Sequence, residues 1–498
     1  RAATSRKTML VVLLAAVLAV ALVVATIRRD ASTRHIPVNP DERMLDYVGI
    51  LSNDGVDGPM GHAERLRVAE LTGGLFRIRG AMGLPIVCAV DGQAVTELIK
   101  NCTEKPEWIM KNVRILGELT RHIGNFPGRK EWSARRKAFH PSFHRFNLAG
   151  YRRGALRKHI GNFCARLRTM AGPEPVNVHY LLGCLTTDVI CDVGFGSDAG
   201  ALQGTRNLAE NLFITTSPEY RYCMFHHPML PIFSRPRKLV EARKVVREEL
   251  RRMYREFEAR YDATEEGSEE REQLDKYVIK DVLTLRRTHP GYGEENAISD
   301  MGVLIFGGFD TSSLTAMWML HLLVRNRDKM RIVQEELDAA GTDGPTPYLE
   351  ACIKETMRCY PAPGNAGLRV LRRDVTVKGI TIPDGTLVAF PIHAIHNYSG
   401  NWEKPGEFRP ERFLEDERLA GGEAYKGGGD AEGKRMFMPF HMGRRRCLGM
   451  QLALAELRIL MAEMLRIFSF DLPSGAPDRL GGLSGMTLHP EDPMLIVG

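Results

Sequence analysis

Residues Ala297 to Val324 read AISDMGVLIFGGFDTSSLTAMWMLHLLV, and no other stretch limits the fold as tightly. Its apolar residues do not keep to one face, so a helix here must be surrounded by protein on most sides. A chain of 498 residues with 44% hydrophobic composition can supply that surround. Leu239 to Tyr261 repeats apolar residues at three- and four-residue spacing among charges, the pattern of an amphipathic helix. Leu448 to Leu465 is another helical run. Strand signals are few and short, chiefly Leu371 to Pro383 and Thr386 to Pro391. The predicted class is mainly α with a minor β component. Two polar stretches, Ala263 to Gln273 and Gly421 to Gly433, read as solvated loops.

The other long apolar run is Met9 to Ile27, which has no charged residue. At about 1.5 Å per residue, a helix of that length nearly crosses a ~30 Å hydrocarbon core. It exceeds the apolar part of a signal peptide and ends in Arg28-Arg29, so it reads as a membrane anchor. The domain reading is an anchor with flanks at 1–30, a proline-containing linker at 31–40 and one globular domain at 41–498. Nine cysteines without a CxxC pair suit a reducing compartment and give neither a disulfide framework nor a zinc site. A net charge of +7 is too mild to argue for nucleic acid, and none is expected as a partner.

Within the apolar helix, GGFDTSS (Gly307 to Ser313) breaks local rules, with adjacent glycines and a buried Asp310-Thr311 pair. Such violations inside a strong element often mark function. The alternative is a threonine bonding back to a carbonyl in a kinked helix. A second anomaly is FMPFHMGRRRCLG (Phe437 to Gly449), where a lone thiol follows three arginines just before a helix. Helix N-terminal amides and their partial positive charge favour a thiolate there, and a thiolate can be an axial iron ligand.

Together these segments resemble the cytochrome P450 family, in its eukaryotic membrane-anchored form. Phe440, Gly443, Arg445, Cys447 and Gly449 fit its haem-binding loop, F-x-x-G-x-R-x-C-x-G. GGFDTS fits its oxygen-activation motif. KETMR, followed by FRPERF, fits its E-x-x-R and later arginine, and WSARRK fits its W-x-x-x-R-[KR] helix. The resemblance implies a haem b held non-covalently between a long central helix and the cysteine loop, with Cys447 as axial ligand. Trp132, Arg136, Arg369, Phe440, Arg445 and Gly449 would bind the haem. Asp310 and Thr311 would be catalytic, and Glu355, Arg358 and Arg412 would form a structural cluster. Gly307 stands where some fatty-acid hydroxylases carry the glutamate that attaches haem covalently. His441 stands where the family often has a small residue. The connection between Gln334–Leu337 and the helix with KETMR is unusually short.

The implied activity is a monooxygenase that inserts one atom of O2 into a lipophilic organic substrate. No nucleotide-binding loop is evident, so electrons would come from NADPH through a partner flavoprotein reductase. Arg135, Lys137 and Arg444 to Arg446 are expected to attract an acidic donor. Substrate contacts are expected from 106–130, from Phe306 and Phe309, and from the turn at Met486-Thr487. The implied location is the endoplasmic-reticulum membrane with a cytosolic catalytic domain, with plastid or mitochondrial membranes as alternatives. Two other activities stay open: a dehydratase or isomerase of the same fold acting on a lipid hydroperoxide, and a non-catalytic membrane haem sensor.

Overall fold

The computed structural model describes residues 32–38, 61–79, 85–107, 123–124, 129–143, 151–217, 236–341, 344–364, 367–430, 433–477, 481–484 and 487–498. The anchor expected at 9–27, most of 106–130 and Met486 lie outside them. The chain is mainly α with a minor β component, as its sequence predicts. It begins with α1 (Gly61–Thr72), β1 (Leu75–Arg79), β2 (Pro85–Ala89), α2 (Gly92–Asn101), α3 (Arg129–Phe143) and α4 (Tyr151–Arg168). There follow β3 (Gly172–Asn177), α5 (Val178–Phe195), α6 (Leu208–Thr216), α7 (Arg237–Ala263), α8 (Glu269–Leu274) and α9 (Val278–Thr288). The long central helix α10 (Glu294–Arg325) leads to α11 (Arg327–Ala340), α12 (Pro347–Cys359) and the short strands β4 (Arg369–Val370), β5 (Val375–Val377), β6 (Ile380–Ile382) and β7 (Leu387–Ala389). The C-terminal part holds α13 (Ile392–Asn397), α14 (Arg412–Glu415), α15 (Glu417–Ala420), α16 (Met450–Ile467), β8 (Phe470–Asp471), β9 (Gly482–Ser484), β10 (Leu488–Pro490) and β11 (Met494–Val497).

Helix α10 is enclosed as its sequence requires, packing against α5, α7, α9, α11, α12 and α16. Its closest neighbour is α5, and Gly308 explains why: a Cβ there would stand 2.7 Å from Cγ1 of Ile190. Each Leu or Ile that α10 buries, such as Ile305, Leu314 and Leu320, contributes roughly 1.5–3 kcal/mol. Both α5 and α10 are long and apolar enough to cross a bilayer, but their apolar windows are 89% and 72% buried in protein. They are core helices of this domain.

A second core lies under the four-stranded sheet β1-β2-β7-β4, where β2 and β7 run parallel and the other pairs antiparallel. The run Leu371–Pro383 is not one strand. It folds into the β5–β6 hairpin because Lys378 and Gly379 both take positive φ, as a two-residue turn between twisted strands requires. The expected linker residues are pinned to this sheet: Ile36 is buried and Val38 bridges to Arg77.

The two expected loops also carry structure. Ser268 caps the N-terminus of α8, its hydroxyl accepting from the Arg271 amide. In the glycine-rich stretch Tyr425 is fully buried against Phe437 and Phe440, and Gly433 packs on Gly92 so closely that a Cβ on Gly92 would strike its carbonyl. Composition hides such contacts, because one aromatic ring and one backbone approach decide them.

The motif KETMR lies on α12, and its glutamate organises the route to the cysteine loop. Arg358 binds Glu355 with two hydrogen bonds, of 2.7 and 2.9 Å, and Arg412 donates to the same carboxylate at 3.2 Å. All three residues are buried. The two guanidinium groups satisfy backbone carbonyls of Pro405, Glu407, Glu403 and Lys404, so they hold the irregular segment before α14. Arg358 also donates to the carbonyl of His396 at 2.9 Å. Removing one partner of a buried ion cluster leaves charge uncompensated. Glu355→Gln is therefore expected to cost about 3–5 kcal/mol in denaturant unfolding. A midpoint matching the parent would mean that the arginines do not need this carboxylate.

Candidate functional site

Cys447 sits at the end of a loop whose shape is set by backbone geometry. His441 and Gly443 take φ of 63° and 71°, and the Cys447 amide donates to the Phe440 carbonyl at 2.9 Å. Helix α16 begins two residues beyond the expected start, after Gly449. The side chain of Cys447 stays accessible although protein surrounds it closely. Burial pushes its pKa up, while the amides of Gly449 and Met450 and the guanidinium groups of Arg136 and Arg446 pull it down. A Cβ on Gly449 would stand 3.9 Å from the sulfur, an ordinary contact, so packing within the chain does not demand glycine there.

The loop is tied to the buried ion cluster through His396. Its Nδ1–H donates to the Met357 carbonyl at 3.1 Å, and its Nε2 accepts the Met438 amide at 2.8 Å. Its ring stacks on Phe437 at 5.4 Å. A ring that donates from one nitrogen and accepts at the other is neutral, and burial lowers its pKa to about 3. No sequence motif marks His396.

Beside the loop, cations converge. Arg445 lies 4.4 Å over the Trp132 ring and donates from Nε to the Thr103 carbonyl at 2.8 Å, and Arg136 lies 5.7 Å over the same ring. Arg369, on β4, reaches His441 at 3.4 Å. Lys105, which no motif singles out, joins them: a Cβ on Gly367 would touch both its ammonium and the Arg369 guanidinium. Burial pushes Arg369 down to about 10, and burial followed by the neighbouring Arg369 and Arg136 pushes Arg445 down to about 9. Lys105 falls well below its ordinary value through burial, Arg369 and Arg445. His441 falls to about 3, through burial and the neighbouring Arg369. Cations gathered in this way could hold a polyanion. Among the described residues no group of three or more His, Cys, Asp or Glu side chains could hold a bare metal ion. A single thiolate beside a cluster of cations fits an iron porphyrin, which carries its own equatorial nitrogens and two carboxylates.

The central helix divides its residues between two faces. Val303, Gly307 and Thr311, spaced four apart, are partly or fully accessible, and a Cβ on Gly307 would meet nothing within 4 Å. The Thr311 hydroxyl donates back to the Gly307 carbonyl at 2.6 Å, so the carbonyl-bonded alternative is the arrangement present. Asp310 points the other way and is fully buried. Thr487 donates to its Oδ2, and His489 lies 3.9 Å from the same atom. Burial raises the Asp310 pKa, and His489 and hydrogen bonds from Thr487 and Thr216 oppose the rise.

Three expectations are corrected. Phe306 and Phe309 are core residues, Phe309 packing edge-on against Phe213 of α6 at 4.9 Å. They lie off the face that carries Gly307 and Thr311. Thr487 is buried and engaged by Asp310, so it is not part of an apolar substrate turn. Arg135 is no docking cation: it is buried, donates to Asp300 at 2.9 Å and lies 4.6 Å over the Tyr292 ring. One position along the same helix turns the side chain by about 100°, which is why Arg135 faces α10 while Arg136 faces the loop. Lys137 and Arg444 are exposed.

Comparison with known proteins gives one family. The family profile described as Cytochrome P450 matches residues 58–497. Cytochrome P450 3A1 of Rattus norvegicus is 27% identical over 328 residues, covering 60% of this chain and 59% of that protein. Cytochrome P450 3A6 of Oryctolagus cuniculus is 31% identical over 220 residues, covering 42% and 41%. Cytochrome P450 3A2 of Rattus norvegicus is 26% identical over 344 residues, covering 65% and 64%. The chain thus spans less than two thirds of the length of each of these relatives.

The neutral ring of His396 gives a pH test of the loop. Its folded pKa of about 3 lies below the ordinary 6.5, so its contribution to stability is complete above 6.5 and is lost as pH falls toward 3. Between pH 6.5 and 5 that loss is about 2 kcal/mol at most. In denaturant melts, the stability gap between the parent and His396→Leu should therefore narrow as pH falls over that range. A gap that stays constant would mean that the ring is not held neutral.

Proposed function

Because this chain belongs to the cytochrome P450 family, we propose that it is a haem-thiolate monooxygenase acting on a lipophilic organic substrate. The observation that carries this reading is the pairing of one accessible thiol, at a helix N-terminus, with the buried Arg369 and the partly buried cations Lys105, Arg136 and Arg445. Haem b bound there would supply O2 binding and activation, with one oxygen atom going to substrate and the other to water.

The chain's own residues have separable tasks. Cys447 would supply the thiolate ligand of the iron; burial raises its pKa and the Gly449 and Met450 amides oppose that rise. Arg136, Arg369, Arg445 and Lys105 hold the carboxylates, with Trp132 as the apolar platform under Arg445. Phe440 packs at the edge of Tyr425 and shields the loop. On the central helix, the open face at Val303, Gly307 and Thr311 borders substrate. The Thr311 hydroxyl, released from the Gly307 carbonyl, would donate a hydrogen bond on that face, and Asp310 would relay protons towards it by a path through or around the helix backbone.

Reducing equivalents come from an NADPH-dependent flavoprotein, drawn by the exposed Lys137 and Arg444. The segment 9–27 holds the catalytic domain, 41–498, at a membrane, with the endoplasmic reticulum as the proposed site.

Two measurements test this reading. The reduced, carbon-monoxide-bound protein should show its Soret band at the far-red position typical of thiolate ligation, and Cys447→Ala should lose it. An unshifted band in the parent would end the thiolate assignment. Thr311→Ala should keep substrate binding but divert a large share of NADPH consumption into hydrogen peroxide, a fall in coupling of about tenfold or more. Coupling equal to the parent's would remove Thr311 from the proton path.

A further inference from the structure

We propose that Thr487 and His489, on the C-terminal hairpin, form with Asp310 a hydrogen-bonded relay that governs the protonation of that carboxyl group, making His489 a positioning residue for proton handling. The proposal deepens the function proposed above and rests on its reading of Asp310 and Thr311.

The relay has a defined direction. Thr487 has one hydroxyl hydrogen, and it donates that hydrogen to Oδ2 of Asp310. The same oxygen lies 2.9 Å from Nε2 of His489, so it accepts there and His489 carries its proton on Nε2. The chain His489 Nε2–H, Thr487 Oγ1–H, Asp310 Oδ2 can therefore carry a proton in one concerted shift. The His489 N–H bond breaks as its proton moves to Thr487, and the Thr487 hydrogen passes to Asp310. An imidazolium and a carboxylate become a neutral ring and a carboxylic acid, and no electron moves.

Strand β10 is fixed on the central helix. Trp318 Nε1 donates to the Leu488 carbonyl at 2.8 Å, and the Leu488 amide donates to the Ala362 carbonyl at 2.9 Å. Few groups compete. Facing His489 are Asp310 from α10 and, from α5, the edge of the His179 ring at 5.8 Å. Burial, and then His489, hold His179 at about 3, so it stays neutral. Helix α6 contributes the Thr216 hydroxyl and the apolar Phe213, and β9 opposes His489 with Leu483. Burial favours the uncharged form of both Asp310 and His489, and each opposes that effect in the other.

The experiment compares the full-length holoenzyme with His489→Gln, in which an amide can still donate to Thr487 but cannot titrate. The readout is the infrared carbonyl band of protonated Asp310 as a function of pH, assigned by its loss in Asp310→Asn. Without the imidazolium the midpoint of that band should move up by roughly one pH unit or more, and Thr487→Val should move it in the same direction. An unmoved midpoint in His489→Gln, or no Asp310-dependent band at any pH, overturns the relay. The carbon-monoxide spectrum of the same samples reports separately on the thiolate. A spectrum without the far-red band sinks the haem-thiolate reading, whereas a normal spectrum with an unmoved midpoint sinks the relay alone.

Discussion

The carboxylate of Glu355 is the point on which the rest of the site hangs. It pairs with two buried arginines that would otherwise be too costly to bury. Those arginines then spend their remaining donors on backbone that forms no regular element. From Arg358 the chain of contacts runs through the His396 carbonyl, and the His396 ring holds the Met438 amide, nine residues before Cys447. A loop that has to present a sulfur atom in one orientation cannot rely on its own residues, because its backbone takes positive φ at His441 and Gly443. Its rigidity is borrowed from an ion cluster on another helix.

The central helix solves a different problem with two adjacent glycines. Gly308 lets α5 approach, while Gly307 keeps the opposite face free of side chain. A helix of this length tolerates the loss in helix propensity because its neighbours enclose it. The Asp310-Thr311 pair follows the same division. A 100° step along the helix separates a carboxyl buried among histidines from a hydroxyl on the accessible side. Whatever links the two must pass through or around the helix backbone.

Much of this was legible in the sequence where the signal was local. The apolar run at 297–324 demanded a surrounded helix, and α10 is one. The spacing of Glu355 and Arg358 put them on one helical face, and they pair there. Signals that depend on distant segments were not legible. Nothing near Lys105 announces that Arg369 and Arg445 will converge on it, and nothing near His489 announces Asp310. Arg135 and Arg136 look equivalent in the string WSARRK, yet Asp300 claims one of them. The strand signal at Leu371–Pro383 does not by itself show the β5–β6 hairpin, because its positive-φ turn at Lys378-Gly379 takes only two residues.

The cation cluster has a consequence for how the domain folds. Lys105, Arg369 and Arg445 come from the segment after α2, from β4 and from the cysteine loop; Arg369 lowers the pKa of both the others, and Arg445 that of Lys105. Bringing them together costs free energy, and a dianion bound among them returns it. A ligand that binds the folded chain and not the unfolded one stabilises the fold by mass action. The cysteine loop, the mixed sheet and the α3 helix bearing Arg136 would therefore gain stability together from one group bound there. The ion cluster at Glu355 finds its partners within the chain, whereas the cluster at Arg445 would be completed by a bound anion.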